Sequence, residues 1–253
     1  MASSRKQYTT IKQAIMLWEK KHGVSASDAE VVKLYMQLPP IRAMDSNLST
    51  LTAVKHLALS TNAIEKISHL SGLHNIVTLS LSRNNIKKLE NLEPISGTLQ
   101  NLWISYNSIE RLVGIRLCKK IKQLYIRYNK VKDWSQFEYL IELPELEDLE
   151  FLGNPLEAKL TEDGADYRAM ALERLPRLKR LDGVAVVRDE EEDSAAAEEE
   201  RAPKPTAPSA LPPGMRSQGR RHSVAPGARA LRTMPGRRGS VSRRPSVAST
   251  KRG

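Results

Sequence analysis

Apolar residues recur along this chain in blocks rather than with the steady period of one long helix. Five segments, VKHLALSTNAI, IVTLSLSRNNI, LQNLWISYNSI, IKQLYIRYNKV and LEDLEFLGNPL, share the form L-x-x-L-x-L-x-x-N-x-L, with other apolar residues at some leucine positions. The inner L-x-L of each alternates as a short, half-buried strand does, so its leucines enter a core and the residues between them face outward. The asparagines fall at Asn62, Asn84, Asn107, Asn129 and Asn154, at intervals of 22, 23, 22 and 25. After each one, stretches such as IEKISHLSGL and IKKLENLEPI return a second set of apolar side chains to the same core. Each repeat is therefore predicted to be a strand, a turn at the asparagine and a returning segment.

That spacing is the spacing of leucine-rich repeats, and five copies in register predict an α/β solenoid with helical caps. The asparagines are structural in this reading: at a turn, an Asn side chain bonds backbone groups of its own and the adjacent repeat. An end repeat exposes one apolar face, so both ends need covering. At the N-terminus, TIKQAIMLWEKKHG sets Ile11, Ala14, Ile15 and Trp18 at helical spacing, and Thr10 with Gln13 forms a capping box. A second short helix is expected over SDAEVVKLYMQL, stopped by Pro39-Pro40. At the far end, DYRAMALERLPRLKRLDG reads as a helix and a closing leucine-rich segment. The expected organisation is an N-terminal cap over 1–50, repeats over 51–160, a C-terminal cap over 161–188, an acidic segment over 189–200 and a disordered basic tail over 201–253.

Charge sharpens that last division. The 253 residues carry a net +11, but residues 1–188 hold 27 Lys+Arg against 21 Asp+Glu, residues 189–200 hold eight acids and no base, and residues 201–253 hold thirteen bases and no acid. Such blocks are the mark of interaction tails, and 201–253 has too few large apolar residues to offset the entropy of ordering. The single cysteine, Cys118, excludes an internal disulfide and reads as a small buried apolar residue. No apolar run is long enough to span a bilayer and the start carries no signal-like apolar stretch, which predicts a cytosolic chain with no membrane partner. The five histidines lack the spacing of a metal site, and no phosphate-binding, dinucleotide-binding or nucleophile-elbow motif occurs. No cofactor and no enzymatic activity are expected.

The outward strand positions supply the candidate chemistry. The third repeat offers Trp103 with Tyr106 beyond it, and the fourth offers Tyr125 and Arg127 with Tyr128 beyond. Adjacent strands lie about 4.8 Å apart, so Trp103 should neighbour Tyr125, and Tyr106 should neighbour Tyr128. Exposed aromatics gathered into one patch point to protein docking. Cross-strand stacking alone is the other use such a row can have.

The cap TTIKQAIMLWEKKHG, then VKLYMQLPPIRAMDSNLSTL, LALSTNAIEKI, LSLSRNNIKKLENLE, LQNLWISYNSIERL and VKDWSQF, resembles the leucine-rich-repeat light chains of axonemal outer-arm dynein, from about residue 9 to 187. The resemblance implies a noncatalytic subunit of a ciliary or flagellar axonemal motor. Such a subunit binds an outer-arm dynein heavy chain near its microtubule-binding region, sits close to tubulin and tunes motor activity and beating. It implies docking through the aromatic sheet face, here Trp103, Tyr106 and Tyr125, while Arg127 and Tyr128 join by their place in the fourth repeat. Around the closing segment, Arg168, Arg174, Arg177, Lys179 and Arg180 form a basic set that could face acidic tubulin, or simply be a solvated helix face. Two other functions compete: a leucine-rich-repeat regulatory subunit of a protein phosphatase, and a nucleic-acid-associated protein whose binding would be nonspecific and confined to the tail.

Residues 189–253 have no counterpart in that resemblance. Within them RRHSV, RRGSV and RRPSV place Ser223, Ser240 and Ser246 each behind an arginine pair, the form basophilic kinases such as the cyclic-AMP-dependent kinase accept. Each phosphate adds roughly −1.5 to −2 charges, enough for three to cancel a large part of the tail's positive charge. The expected outcome is that Ser223→Asp/Ser240→Asp/Ser246→Asp cosediments with microtubules less than wild type at physiological salt. Undiminished cosedimentation would show that the tail does not act through its charge.

Overall fold

The computed structural model describes residues 7–188. The acidic segment 189–200, the basic tail 201–253 and Ser223, Ser240 and Ser246 lie outside the described residues.

Eight short strands form one sheet in strict chain order: β1 (Val31–Lys33), β2 (His56–Ala58), β3 (Thr78–Ser80), β4 (Asn101–Trp103), β5 (Gln123–Tyr125), β6 (Asp148–Glu150), β7 (Arg180–Leu181) and β8 (Val184–Ala185). Strands β1 to β7 are parallel, and β8 folds back antiparallel on β7. The register puts Val32, Leu57, Leu79, Leu102, Leu124, Leu149 and Leu181 in one row, all completely buried. Between strands the chain returns through single 3₁₀ turns, such as Glu93–Ile95 and Val113–Ile115, which bury Ile95 and Ile115 against the same core. One such turn needs a glycine: a Cβ on Gly114 would lie 1.7 Å from the Leu89 carbonyl oxygen, so only Gly lets these returns stack so closely.

The asparagines form the expected ladder. Each Oδ1 accepts an amide from the preceding repeat: Ile41 to Asn62, Ile64 to Asn84, Ile86 to Asn107, Ile109 to Asn129 and Val131 to Asn154, at 2.9 to 3.1 Å. Each Nδ2 donates back to carbonyls of the preceding repeat and of its own, for Asn107 those of Leu81 and Ile104 at the shortest distances. The residue before each asparagine is left-handed: Thr61, Arg83, Tyr106, Tyr128 and Gly153 have φ of 51 to 77°. Non-glycine residues resist this region, so the interlocking bonds hold it in place.

Helix α1 (Ile11–His22) caps the first strand as expected, with Ile11, Ala14, Ile15 and Trp18 buried, a complete Thr10–Gln13 capping box and left-handed Gly23 at its end. The second helix expected over SDAEVVKLYMQL does not form. Val31–Lys33 is instead the edge strand β1, where Val32 and Leu34 alternate inward and backbone pairing to β2 outweighs local helix propensity. After the short α2 (Glu138–Ile141), the C-terminal cap contains the anticipated helix, α4 (Tyr167–Arg174), and one the pattern did not announce, α3 (Pro155–Glu162), begun by Asn154 and Pro155. Phe137, Phe151 and Tyr167 pack ring against ring to close the core, with centroids 5.1 and 5.9 Å apart. Cys118 is buried, and burial pushes its thiol up to about 11, which makes it unreactive.

Asn107→Ala strips the Ile86 amide and two carbonyls of their partners in a buried site, and should cost about 2 to 4 kcal/mol in urea unfolding. Asn101→Ala, which removes one side-chain bond to Thr78 on the sheet face, should cost under about 1 kcal/mol.

Candidate docking face

Strands β4 and β5 carry the aromatic row. Trp103 pairs with Tyr125 in the register, and their rings lie 6.0 Å apart and 9° from parallel. Ala58 and Ser80, the residues aligned with Trp103 on β2 and β3, are small and buried, so the indole reaches across β3 to meet the His56 ring edge-on at 5.5 Å. Trp103 is consequently half-buried rather than fully exposed, and both uses anticipated for it, an outward position and cross-strand stacking, coexist. Burial, and then the Lys33 charge, keep the His56 imidazole below its ordinary value.

A second pair stands beside the first. Tyr106 and Tyr128 leave the strand ends through their left-handed backbones and stack at 4.6 Å. Gly153 continues this series because a Cβ there would lie 2.5 Å from the Tyr128 ring. The Arg83 guanidinium lies 4.3 Å over Tyr106, and that of Arg127 lies 5.9 Å from Tyr128 and 3.9 Å from Glu150. Trp103, Tyr106, Tyr125, Arg83, Arg127 and Glu150 border a concavity of about 300 Å³. Its shape suits an inserted side chain, and its rim mixes cations with one carboxylate.

Beneath Tyr125 the face turns acidic. The Tyr125 hydroxyl donates to Asp148 Oδ2 at 2.9 Å; burial first, and then this bond, push its pKa up to about 12, so it remains a neutral donor. Burial also raises Glu150 and Asp182 above the usual carboxylate range, Arg127 opposing the shift in both and two amide bonds, from Leu152 and Phe151, opposing it further in Asp182. Arg83, Asp148 and Glu150 fall at outward positions of the second and fifth repeats by the sequence pattern, which did not single out Asp182 as a contributor. Arg83 occupies the same pre-asparagine position as Tyr106 and Tyr128, which is why the three side chains meet.

The five basic cap residues do not form one free patch. Arg168 donates to the carbonyls of Leu181, Val184 and Ala185 and clamps the β7–β8 hairpin. Arg174 stacks 4.3 Å over Trp134. Lys179 pairs with Glu147 at 2.9 Å, Arg180 approaches Asp148 at 3.8 Å and Arg177 reaches the Pro144 carbonyl, while all three remain exposed. Among the described residues no group of acids, histidines or cysteines is placed to hold a metal ion, and no helix is long and apolar enough to cross a membrane.

The leucine-rich repeat family model matches residues 28–205. Dynein axonemal light chain 1 of Rattus norvegicus is 54% identical over 187 residues, which is 74% of this chain and 98% of that protein. The protein of the same name from Chlamydomonas reinhardtii is 50% identical over 73% of this chain and 94% of its own length. The chain belongs to the dynein axonemal light chain 1 family. Among solved structures, one from the Drosophila melanogaster SNF/U2A′ complex is similar at 23% identity and a TM-score of 0.49, over 63% of this chain and 92% of that one. The light-chain matches span nearly the whole of those relatives and leave about a quarter of this chain outside them.

Asp182 offers a test of how the face is held on the cap. Its Oδ1 accepts the amides of Phe151 and Leu152, and Asp182→Asn retains an acceptor there without the charge. Because the folded-state pKa lies above the ordinary 3.8, the folded chain holds this proton more tightly than the unfolded chain, and the stability it contributes falls as pH rises through the interval. Relative to Asp182→Asn, wild type should therefore gain in thermal midpoint as pH is lowered from about 7 toward 4. A difference that is flat or runs the other way would mean that the carboxyl is not raised.

Proposed function

We propose that this chain is a noncatalytic light chain of ciliary or flagellar outer-arm dynein, located in the axoneme. In this reading it docks on a dynein heavy chain near the microtubule-binding region and tunes motor activity. The supporting observation is the continuous double row of Trp103 with Tyr125 and Tyr106 with Tyr128 on the open face of a solenoid whose relatives are named axonemal dynein light chains. Rigid, partly buried aromatics beside arginines have the composition of an interface hot spot. Trp103 and Tyr125 would anchor the heavy chain, with Tyr106, Tyr128 and Arg127 extending the contact. Tubulin would meet the exposed cations Arg177, Lys179 and Arg180, with Arg168 and Arg174 supporting the cap from within. The tail would add a screened attraction that a basophilic kinase reduces.

A phosphatase-regulatory role shares the repeat length and leaves the aromatic row without a use. Dynein arms extracted from axonemes with the tagged chain distinguish the two. Wild type should bring down an outer-arm heavy chain, and Trp103→Ala and the more exposed Tyr106→Ala should each weaken that association by about 30-fold or more, with unchanged circular dichroism. Recovery of a phosphatase catalytic subunit in place of a heavy chain would reverse the assignment.

A further inference from the structure

Half of the large apolar side chains exposed among the described residues lie within the first 38 positions. Helix α1 buries one face on the core and presents Met16 and Leu17 on the other, 58% and 59% exposed. Beyond β1, Tyr35 is 49% and Leu38 is 89% exposed. Leu17 is the wall shared by two grooves: one of about 340 Å³ reaches from Met16 to Leu38 and Pro39, and one of about 190 Å³ reaches from Trp18 to Tyr35.

Lys21 and Lys33 line the smaller groove, and Lys12 and Lys20 stand elsewhere on α1. Lys12, Lys20, Lys21 and Lys33 are exposed, and among the described residues none of them pairs with a carboxylate. Of the neighbouring acids, Glu30 is paired with Lys55, Glu19 accepts the Ala26 amide and Asp28 accepts the Ser27 hydroxyl, so none of them is bonded to these four lysines. An apolar patch with lysines beside it that make no ion pair fits an apolar partner with acidic flanks.

We infer that this N-terminal cap is a second docking surface, which takes an amphipathic helix of another polypeptide with acidic residues flanking its apolar stripe. Two grooves on either side of one leucine match side chains inserted at helical spacing. A second copy of this chain is disfavoured, because a two-fold contact would set these lysines against their own copies. The chain's own acidic run, DEEEDSAAAEEE, has the charge but no apolar residue larger than alanine to fill the grooves. A bilayer presents no side chains to them.

The probe is a fluorescein-labelled synthetic amphipathic helix with leucines at i, i+3, i+4 and i+7 and glutamates on its flanks, titrated into the full chain by anisotropy. Saturable binding is expected, weakened about tenfold by Leu17→Asp and about tenfold by replacing the glutamates with lysines, and unchanged by Trp103→Ala. Because Leu17 is exposed, Leu17→Asp should retain the wild-type circular dichroism and melting profile. Absence of saturable binding, equal binding by Leu17→Asp, or loss on Trp103→Ala alone would overturn the proposal. So would Leu17-dependent binding to phosphatidylserine vesicles without peptide binding, or a Leu17-dependent dimer in sedimentation velocity. None of these outcomes depends on which heavy chain, if any, meets the aromatic face.

Discussion

The asparagine that closes each repeat is the constraint on which the rest of the molecule depends. Three-residue parallel strands make too few bonds to hold a sheet on their own. Here a single asparagine side chain ties each strand end to the repeat before it, accepting one amide and donating to one carbonyl there, while a further bond to a carbonyl of its own repeat fixes its place. Those bonds also hold the preceding residue left-handed, a conformation that isolated tyrosine or arginine avoids. Stacked buried leucines supply the apolar driving force, and the ladder determines that they stack in one register.

The same turn creates the face. A left-handed residue at the end of a strand directs its side chain out beside the sheet, and because the ladder repeats the geometry, equivalent residues meet. Arg83, Tyr106 and Tyr128 thus become a cation and two stacked rings. Three residues earlier, on the strand itself, small residues on β2 and β3 leave room for Trp103 to lie across them. Half-burial holds these rings in one arrangement before any partner arrives, so little side-chain entropy remains to be lost on binding.

Charge divides the surface into regions of different character. Across β5 and β6 the carboxyls of Asp148 and Glu150 lie under the aromatics, and the desolvation that raises Glu150 favours a partner able to bring a donor or cation. At the N-terminal cap the balance is reversed, with lysines around exposed Met16 and Leu17. At the C-terminal cap most cations are spent internally, on carbonyls, on Trp134 or on nearby acids. A count of basic residues would rank the C-terminal cap as the stronger acidic-partner site; there each of the five has a carbonyl, ring or carboxylate partner, whereas Lys12, Lys20, Lys21 and Lys33 at the N-terminal cap pair with no carboxylate among the described residues.

Local pattern was enough for much of this. The repeats, the ladder asparagines, helix α1 with its capping box, the buried cysteine and the adjacency of Trp103 with Tyr125 all follow from spacing, because a solenoid turns sequence period directly into spatial neighbourhood. Tertiary structure decided what depends on groups far apart in sequence. Val31–Lys33 became a strand because β2 offered it a partner, Trp103 is half-buried because Ala58 and Ser80 are small, and Arg168 is a clamp because the β7–β8 carbonyls converge on it. Periodicity specifies which side of the chain faces the core, but exposure, ring stacking and charge pairing depend on the through-space neighbours that only the folded chain brings within a few ångströms.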